Sequence, residues 1–368
     1  MSASYDFSPL LVLALLSLLL GAVPLAWIGF RHRHAPAGVR LRALTFFTLF
    51  LTFDLVVFGA FTRLTDSGLG CPDWPGCYGN ASPLGAHADI QSAQTAMPTG
   101  PVTHGKAWVE MVHRYLAAVV GVLCIALAIA SWRARRLGAA VLSPWWATAT
   151  LVWVCVQGAF GALTVTMKLY PAIVTAHLLG GLTLLALLAV QSQAYLRAPL
   201  PLTRAVHRGV WAVLLLSAAQ ITLGGWVSTN YAVLACSDFP TCQGRWWPEM
   251  DFGHGFTVLR ELGAGKDGGY LPFAALTAIH FTHRVGALIV LSAMAWLAWA
   301  LFAGRDPAAR RWGWGLLGVA AWQLTSGLSN VVLGWPLVAA LAHTAGAAAL
   351  VTLLAVMLAR ARQARPGS

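Results

Sequence analysis

Nine stretches of this chain are apolar over the length of a bilayer, at roughly 9–30, 43–61, 108–131, 145–167, 172–196, 207–229, 274–302, 312–334 and 336–359. In hydrocarbon a backbone must satisfy its own hydrogen bonds, so runs of this length predict spanning helices. Composition agrees, with 58% hydrophobic and only 10% charged residues among 368. A soluble domain carries about a quarter charged residues. The expected fold is an all-α integral membrane protein.

Charge sets the orientation. Of 24 Lys and Arg, 16 fall in the segments 31–42, 132–144, 197–208, 301–311 and 360–368, where Asp306 is the one acid. This alternation is the positive-inside pattern, so those loops are expected on the cytoplasmic side and the N-terminus outside, with the C-terminus cytoplasmic. The net charge of +12 is therefore topology and does not point to nucleic acid. No basic start precedes Arg31, so 9–30 reads as a retained helix instead of a cleaved signal.

The chain also repeats itself. Phe58-Gly59-Ala60-Phe61-Thr62 leads to Cys71 and Cys77, and Leu223-Gly224-Gly225-Trp226-Val227 leads to Cys236 and Cys242, an offset of 165 at both cysteines. His113-Arg114 recurs as His283-Arg284 at an offset of 170, while Gln157 and His177 recur as Gln323 and His343 at 166. Four helices return the chain to the side it left, so the halves are expected as parallel repeats. The expected plan is an extra N-terminal helix with its basic loop (1–42), a four-helix bundle (43–196), a linker (197–206), a second bundle (207–359) and a cytoplasmic tail (360–368). The long loops 62–107 and 230–273 fall on the outer face.

His113, His177, His283 and His343 each lie a few residues inside the outer end of a span, on every second helix of the repeat. Facing imidazoles in a helix bundle are the usual axial ligands of a membrane b-type haem. A buried, hydrogen-bonded histidine is the ordinary alternative for any one of them. Four at matched depth favour ligands. Gly180, Gly181, Gly286 and Gly346 either admit a flat macrocycle or serve close helix packing. His280, a candidate proton or propionate partner, precedes His283 by one turn, where Glu110 precedes His113. A carboxylate at that place can take a proton or stabilise positive charge, or can simply face water at the boundary. Arg114 and Arg284 suit haem propionates, and snorkelling to the interface suits them equally. Each loop cysteine pair encloses five residues on the oxidising face, so Cys71–Cys77 and Cys236–Cys242 are expected as disulfides, either structural or relaying electrons. Zinc is the rival, but no nearby histidine has ligand spacing. Cys124 and Cys155 read as buried thiols, Gln157, Gln220 and Gln323 as interhelical hydrogen bonders, and Asp54 as a costly mid-span acid.

With these residues in view, the chain resembles the haem A synthase family over about 43–359. The resemblance rests on Thr62-Arg-Leu-Thr-Asp-Ser-Gly-Leu-Gly-Cys-Pro-Asp-Trp-Pro-Gly-Cys77, Glu110-Met-Val-His-Arg114, the run from Gly225 to Cys242 and the two later histidine motifs. It implies oxidation of a haem O methyl to the formyl of haem A in a bacterial cytoplasmic membrane. It places haem O at His113 and His177 with Glu110 catalytic, and a permanent haem b on His283 and His343. It implies haem O synthase and cytochrome oxidase assembly as partners, leaves the electron acceptor open and is compatible with a homo-oligomer. Two departures stand out: the extra N-terminal helix, and Gly59-Ala60 where Gly-Gly is common. A di-haem b electron carrier linked to quinol is the competing class, with a transporter bearing structural histidines behind it.

Overall fold

The computed structural model describes residues 8–139, 141–196, 198–304 and 306–364. Arg197, Arg305 and Arg365 of the basic segments lie outside these. Eleven α-helices follow one another: α1 (Ser8–Arg31), α2 (Ala37–Leu64), α3 (His87–Ala96), α4 (His104–Arg136), α5 (Pro144–Thr166), α6 (Pro171–Ala194), α7 (Arg204–Thr229), α8 (Phe252–Gly255), α9 (Phe273–Ala303), α10 (Pro307–Val332) and α11 (Leu337–Gln363). No β-strand occurs among the described residues. Each of the nine apolar runs became a long helix, usually extended by a turn into polar flanks. Pro144, Pro171 and Pro307 open their helices, where the missing amide costs nothing. Thr103, Thr203 and Asp306 accept hydrogen bonds from first-turn amides as N-caps.

Eight of the nine long helices are apolar enough to cross a membrane. The ninth, α10, has the length but carries Arg310, Arg311, Gln323, Ser326, Ser329 and Asn330. The chain is thus an all-α multi-pass membrane protein. Its outer surface suits lipid: Leu11, Leu19, Val23 and Phe30 of α1 are all more than half exposed.

The backbone groups into two compact units, Met1–Leu169 and Tyr170–Ser368. The division falls before α6. In the first unit α4 is central, with α1, α2 and α5 packed on it and α3 laid against it. Docking of α1 is explained by Gly21, which lets the Val122 side chain of α4 approach where a Cβ would sit only 2.7 Å from it. The buried hydroxyls of Thr45, Thr48 and Thr52 on α2 bond back to carbonyls one turn earlier, so they need no other partner.

In the second unit α7, α9, α10 and α11 close a four-helix ring, and α6 lies against α7 and α11. The ring is not uniformly filled. Val210, Val213, Met294, Leu297, Leu316, Leu354 and their neighbours form one aliphatic core. All belong to the half of the ring beside the short basic loops. The other half, beside the long loop, carries Gln220, Gly224, His283, Gln323, Ser326 and His343.

Candidate functional sites

His283 on α9 and His343 on α11 stand on helices that are diagonal in the ring. Each imidazole meets a glycine of a neighbouring helix. A Cβ on Gly224 of α7 would lie 2.9 Å from His283 Cε1, and one on Gly327 of α10 would lie 3.3 Å from His343 Cε1. Each ring is also held from behind. Ser326 Oγ is 3.0 Å from His343 Nδ1, and Gln323 Nε2 donates to the His343 carbonyl at 2.9 Å. Gln220 Nε2 lies 2.9 Å from His283 Nδ1 and donates to the His283 carbonyl at 2.9 Å. Ser326 Oγ can accept from His343 Nδ1–H, which leaves Nε2 for a metal, whereas the Gln220 amide nitrogen donates and makes His283 Nδ1 an acceptor. Gln220 and Gln323 therefore act as the interhelical hydrogen bonders expected. Gly286 and Gly346, read as candidate haem contacts, face the side-chain amides of Gln220 and Gln323. They serve close packing.

The first unit repeats part of this. A Cβ on Gly59 of α2 would lie 3.1 Å from His113 Cε1 of α4. Phe58 stacks beside the same ring, 6.2 Å between centroids and 15° from parallel. The departure at Ala60 is harmless to this contact. The matching Gly225 packs against Thr175 and Leu178 of α6, and Gly224 meets the histidine.

Glu110 is 3% exposed. Its Oε2 accepts the backbone N–H of Cys71 at 2.8 Å, and its Oε1 accepts from Arg114 Nη2 at 2.5 Å. Arg114 Nη1 donates to the carbonyls of Asp73 (3.0 Å), Pro75 (3.1 Å) and Gly76 (2.5 Å). The carboxylate is thus tied into the first loop, away from water. In the second unit His280, 5% exposed, points Nδ1 at the carbonyl of Ala232, 3.0 Å away. It props the loop. Arg284 donates to the carbonyls of Cys236, Asp238 and Thr241 at 2.7–2.8 Å. These loop carbonyls, with Glu110 for Arg114, are the partners that the structure gives the two arginines.

Disulfides join Cys71 to Cys77 and Cys236 to Cys242, with Cα separations of 4.9 and 4.7 Å. Peptide bonds Trp74–Pro75 and Phe239–Pro240 are cis. An aspartate closes each loop. Asp73 accepts from the amides of Tyr78 and Gly79, and Asp238 from those of Gln243 and Gly244. The bonds from Thr241, Gly244 and Gln243 hold the Asp238 carboxyl down at about 2. Among the described residues no group of three or more His, Cys, Asp or Glu side chains could hold a metal ion. The zinc reading of the cysteines therefore has no ligand set.

Asp54 is exposed on α2 and takes no part in a histidine contact comparable to that of Gln220. Cys124 is buried, but Cys155 is exposed, a correction to its reading as a buried thiol. The apolar run around Cys155 cannot say which side of α5 faces inward. Arg260 belongs to none of the sequence motifs. It is 5% exposed, stacks on Trp226, and donates to Asn230 Oδ1 and the Ala264 carbonyl. Burial lowers its pKa. A lone arginine in a glycine-rich loop gives no sequence sign of this.

Half-buried imidazoles backed by polar side chains, with disulfide-closed loops in the same units, define a class: a polytopic helical membrane protein built around histidine sites. The chain belongs to the family described as COX15-CtaA, cytochrome oxidase assembly protein, whose profile matches residues 42–355. It is 36% identical to the heme A synthase of Shewanella oneidensis over 323 residues, 83% of this chain and 92% of the relative. Heme A synthases of Methylobacterium nodulans (29% over 336 residues, 83% and 88%) and Caulobacter sp. (28% over 345 residues, 85% and 93%) are also similar.

Proposed function

We propose that the chain acts as a haem A synthase, oxidising a methyl group of haem O through a hydroxymethyl stage to the formyl group of haem A. The product supplies cytochrome oxidase. One observation carries the reading beyond family membership. Both units pair a histidine with a disulfide loop, but only the first adds a buried carboxylate, Glu110, hydrogen-bonded one turn from that histidine. A di-haem electron carrier would use both sites alike, and this asymmetry tells against it.

His283 and His343 are the proposed ligands of a resident haem b. The residues fit such a group: glycines lie against both rings, the Ser326 hydroxyl can accept from His343 Nδ1–H, and the aliphatic plug ends before their level. Haem b would supply one-electron transfer. Gln220, Gln323 and Ser326 would hold the imidazoles in place. By the family's motifs His113 and His177 are the proposed histidines for haem O, with the first bundle taken as 43–196. Oxidising a methyl group releases protons and builds positive charge at carbon. Glu110 is the proposed acceptor and stabiliser, and it is the acid placed for the task. The setting is a bacterial cytoplasmic membrane with the loops 62–107 and 230–273 outside, and haem O synthase and the oxidase assembly apparatus are the proposed partners.

The test is Glu110→Gln, which keeps shape and some hydrogen bonding but removes charge and basicity. Extracted pigments should show haem b and haem O retained and haem A nearly absent, with hydroxymethyl product accumulating. Near-normal haem A would reduce Glu110 to a structural acid.

A further inference from the structure

We infer that Arg114 is the positioning residue of haem O oxidation, tying the aim of Glu110 to the seating of the Cys71–Cys77 loop. The inference deepens the proposed function and rests on its assignment of Glu110. One guanidinium carries both loads. Nη2 holds Glu110 Oε1, and Nη1 gathers the carbonyls of Asp73, Pro75 and Gly76 from inside the disulfide ring. The loop returns the contact, since the Cys71 amide donates to Glu110 Oε2. Both carboxylate oxygens are therefore fixed, one by the arginine and one by the disulfide cysteine.

Gly70 completes the seat. A Cβ there would lie 2.6 Å from the backbone nitrogen of Ala107 on α4, so the loop rests directly on the helix one turn before Glu110. Cys71 and Cys77 are fully buried with Ile90, Ala107 and Met111. A loop that lifts off α4 must therefore release the Cys71 amide from Glu110 and expose the disulfide. Arg114 opposes both with the same hydrogen bonds.

The second unit is an internal control. Arg284 gathers three loop carbonyls in the same manner, yet the position one turn before its histidine is His280, bonded to Ala232. There the arginine seats a loop and aims nothing. The link from arginine to carboxylate is what the first unit adds. Lysine cannot replace it, because one ammonium cannot hold a carboxylate and three diverging carbonyls as a planar fork can.

The experiment compares Arg114→Gln, Arg114→Lys, Arg284→Gln and Glu110→Gln in the purified full-length protein. Haem b content reports on folding. The first readout is the rate at which tris(2-carboxyethyl)phosphine reduces each disulfide, followed by alkylation and peptide mapping. Both Arg114 variants should reduce Cys71–Cys77 about tenfold faster or more through local opening. Arg284→Gln should speed reduction of Cys236–Cys242 and leave Cys71–Cys77 at the wild-type rate. The second readout is the ratio of haem A to haem O in the bound pigment. It should fall in both Arg114 variants with total haem retained, and Arg114→Gln should add nothing in a Glu110→Gln background. Wild-type reduction kinetics and a normal pigment ratio in Arg114→Gln would overturn the inference. So would faster reduction with an unchanged ratio, which leaves a purely structural clamp. If Arg114→Gln loses haem b, Arg114→Lys decides by the same two readouts. If Glu110→Gln itself makes haem A, the assignment of Glu110 fails and this inference with it, while the reduction rates still report loop seating separately.

Discussion

A glycine within a helix costs about 1 kcal/mol relative to alanine. Gly59, Gly224 and Gly327 each accept that cost opposite an imidazole on a neighbouring helix. Close approach explains it: a methyl group at Gly224 must displace His283, because 2.9 Å is below any ordinary carbon contact. Gly224→Ala is therefore expected to lower haem b content several-fold in purified protein, measured from the reduced-minus-oxidised spectrum. Gly59→Ala, with 3.1 Å available, should leave haem b untouched. Wild-type haem b in Gly224→Ala would show that His283 yields freely. At this scale the sequence was legible where residue type and spacing repeat. Glu110 against His280 was visible as an asymmetry, but its bond to the Cys71 amide was not, because 39 residues separate the partners. Arg114 and Arg284 were readable as cations near the outer boundary. That loop carbonyls would occupy them depends on backbone folding that no spacing encodes.

The long helices were legible because hydrocarbon leaves one solution for an apolar run of that length, and proline or threonine at the start fixes the boundary. The short ones were not. Helix α3 is short, mixes polar residues with alanines, and buries one residue, Ile90, against the first disulfide. Helix α8 is a single turn capped by Asp251. Tertiary contacts hold both, so local pattern is silent. The cysteine loops lie between these cases: their closure follows from short separation, but their internal support comes from one aspartate each. Asp238 gives that support a pH dependence. Its folded-state pKa is depressed to about 2, so its contribution is fully present above the ordinary carboxylate value near 4 and is lost as pH falls through 2. Amide exchange at Gln243 and Gly244, corrected for the intrinsic rate, should stay protected from pH 7 to about 4 and lose protection only near the folded value. Asp238→Asn should lower protection at neutral pH and flatten the profile. Protection already lost at pH 4 or 5 would contradict this role for Asp238.

For the whole molecule, repetition in the sequence and compactness in the structure divide the chain differently. The repeat predicts a linker at 197–206, and the contacts, with α6 packed on α7 and α11, group the residues on either side of Leu169/Tyr170. Sequence order records descent, and contacts record which surfaces fit. Which histidine pair serves which haem is the sharper question, and it separates by mutation. Removing an axial ligand deletes binding at its own haem and little elsewhere, because the second-unit ring keeps its aliphatic core whichever histidine is lost. His283→Ala and His343→Ala should therefore purify folded with little haem b. His113→Ala and His177→Ala should keep haem b and lose haem O turnover. Pigment extraction and a pyridine haemochrome spectrum measure both. Equal loss of haem b from all four variants would mean that the two histidine pairs do not serve separate haems, and the assignment of haem b to His283 and His343 would fall.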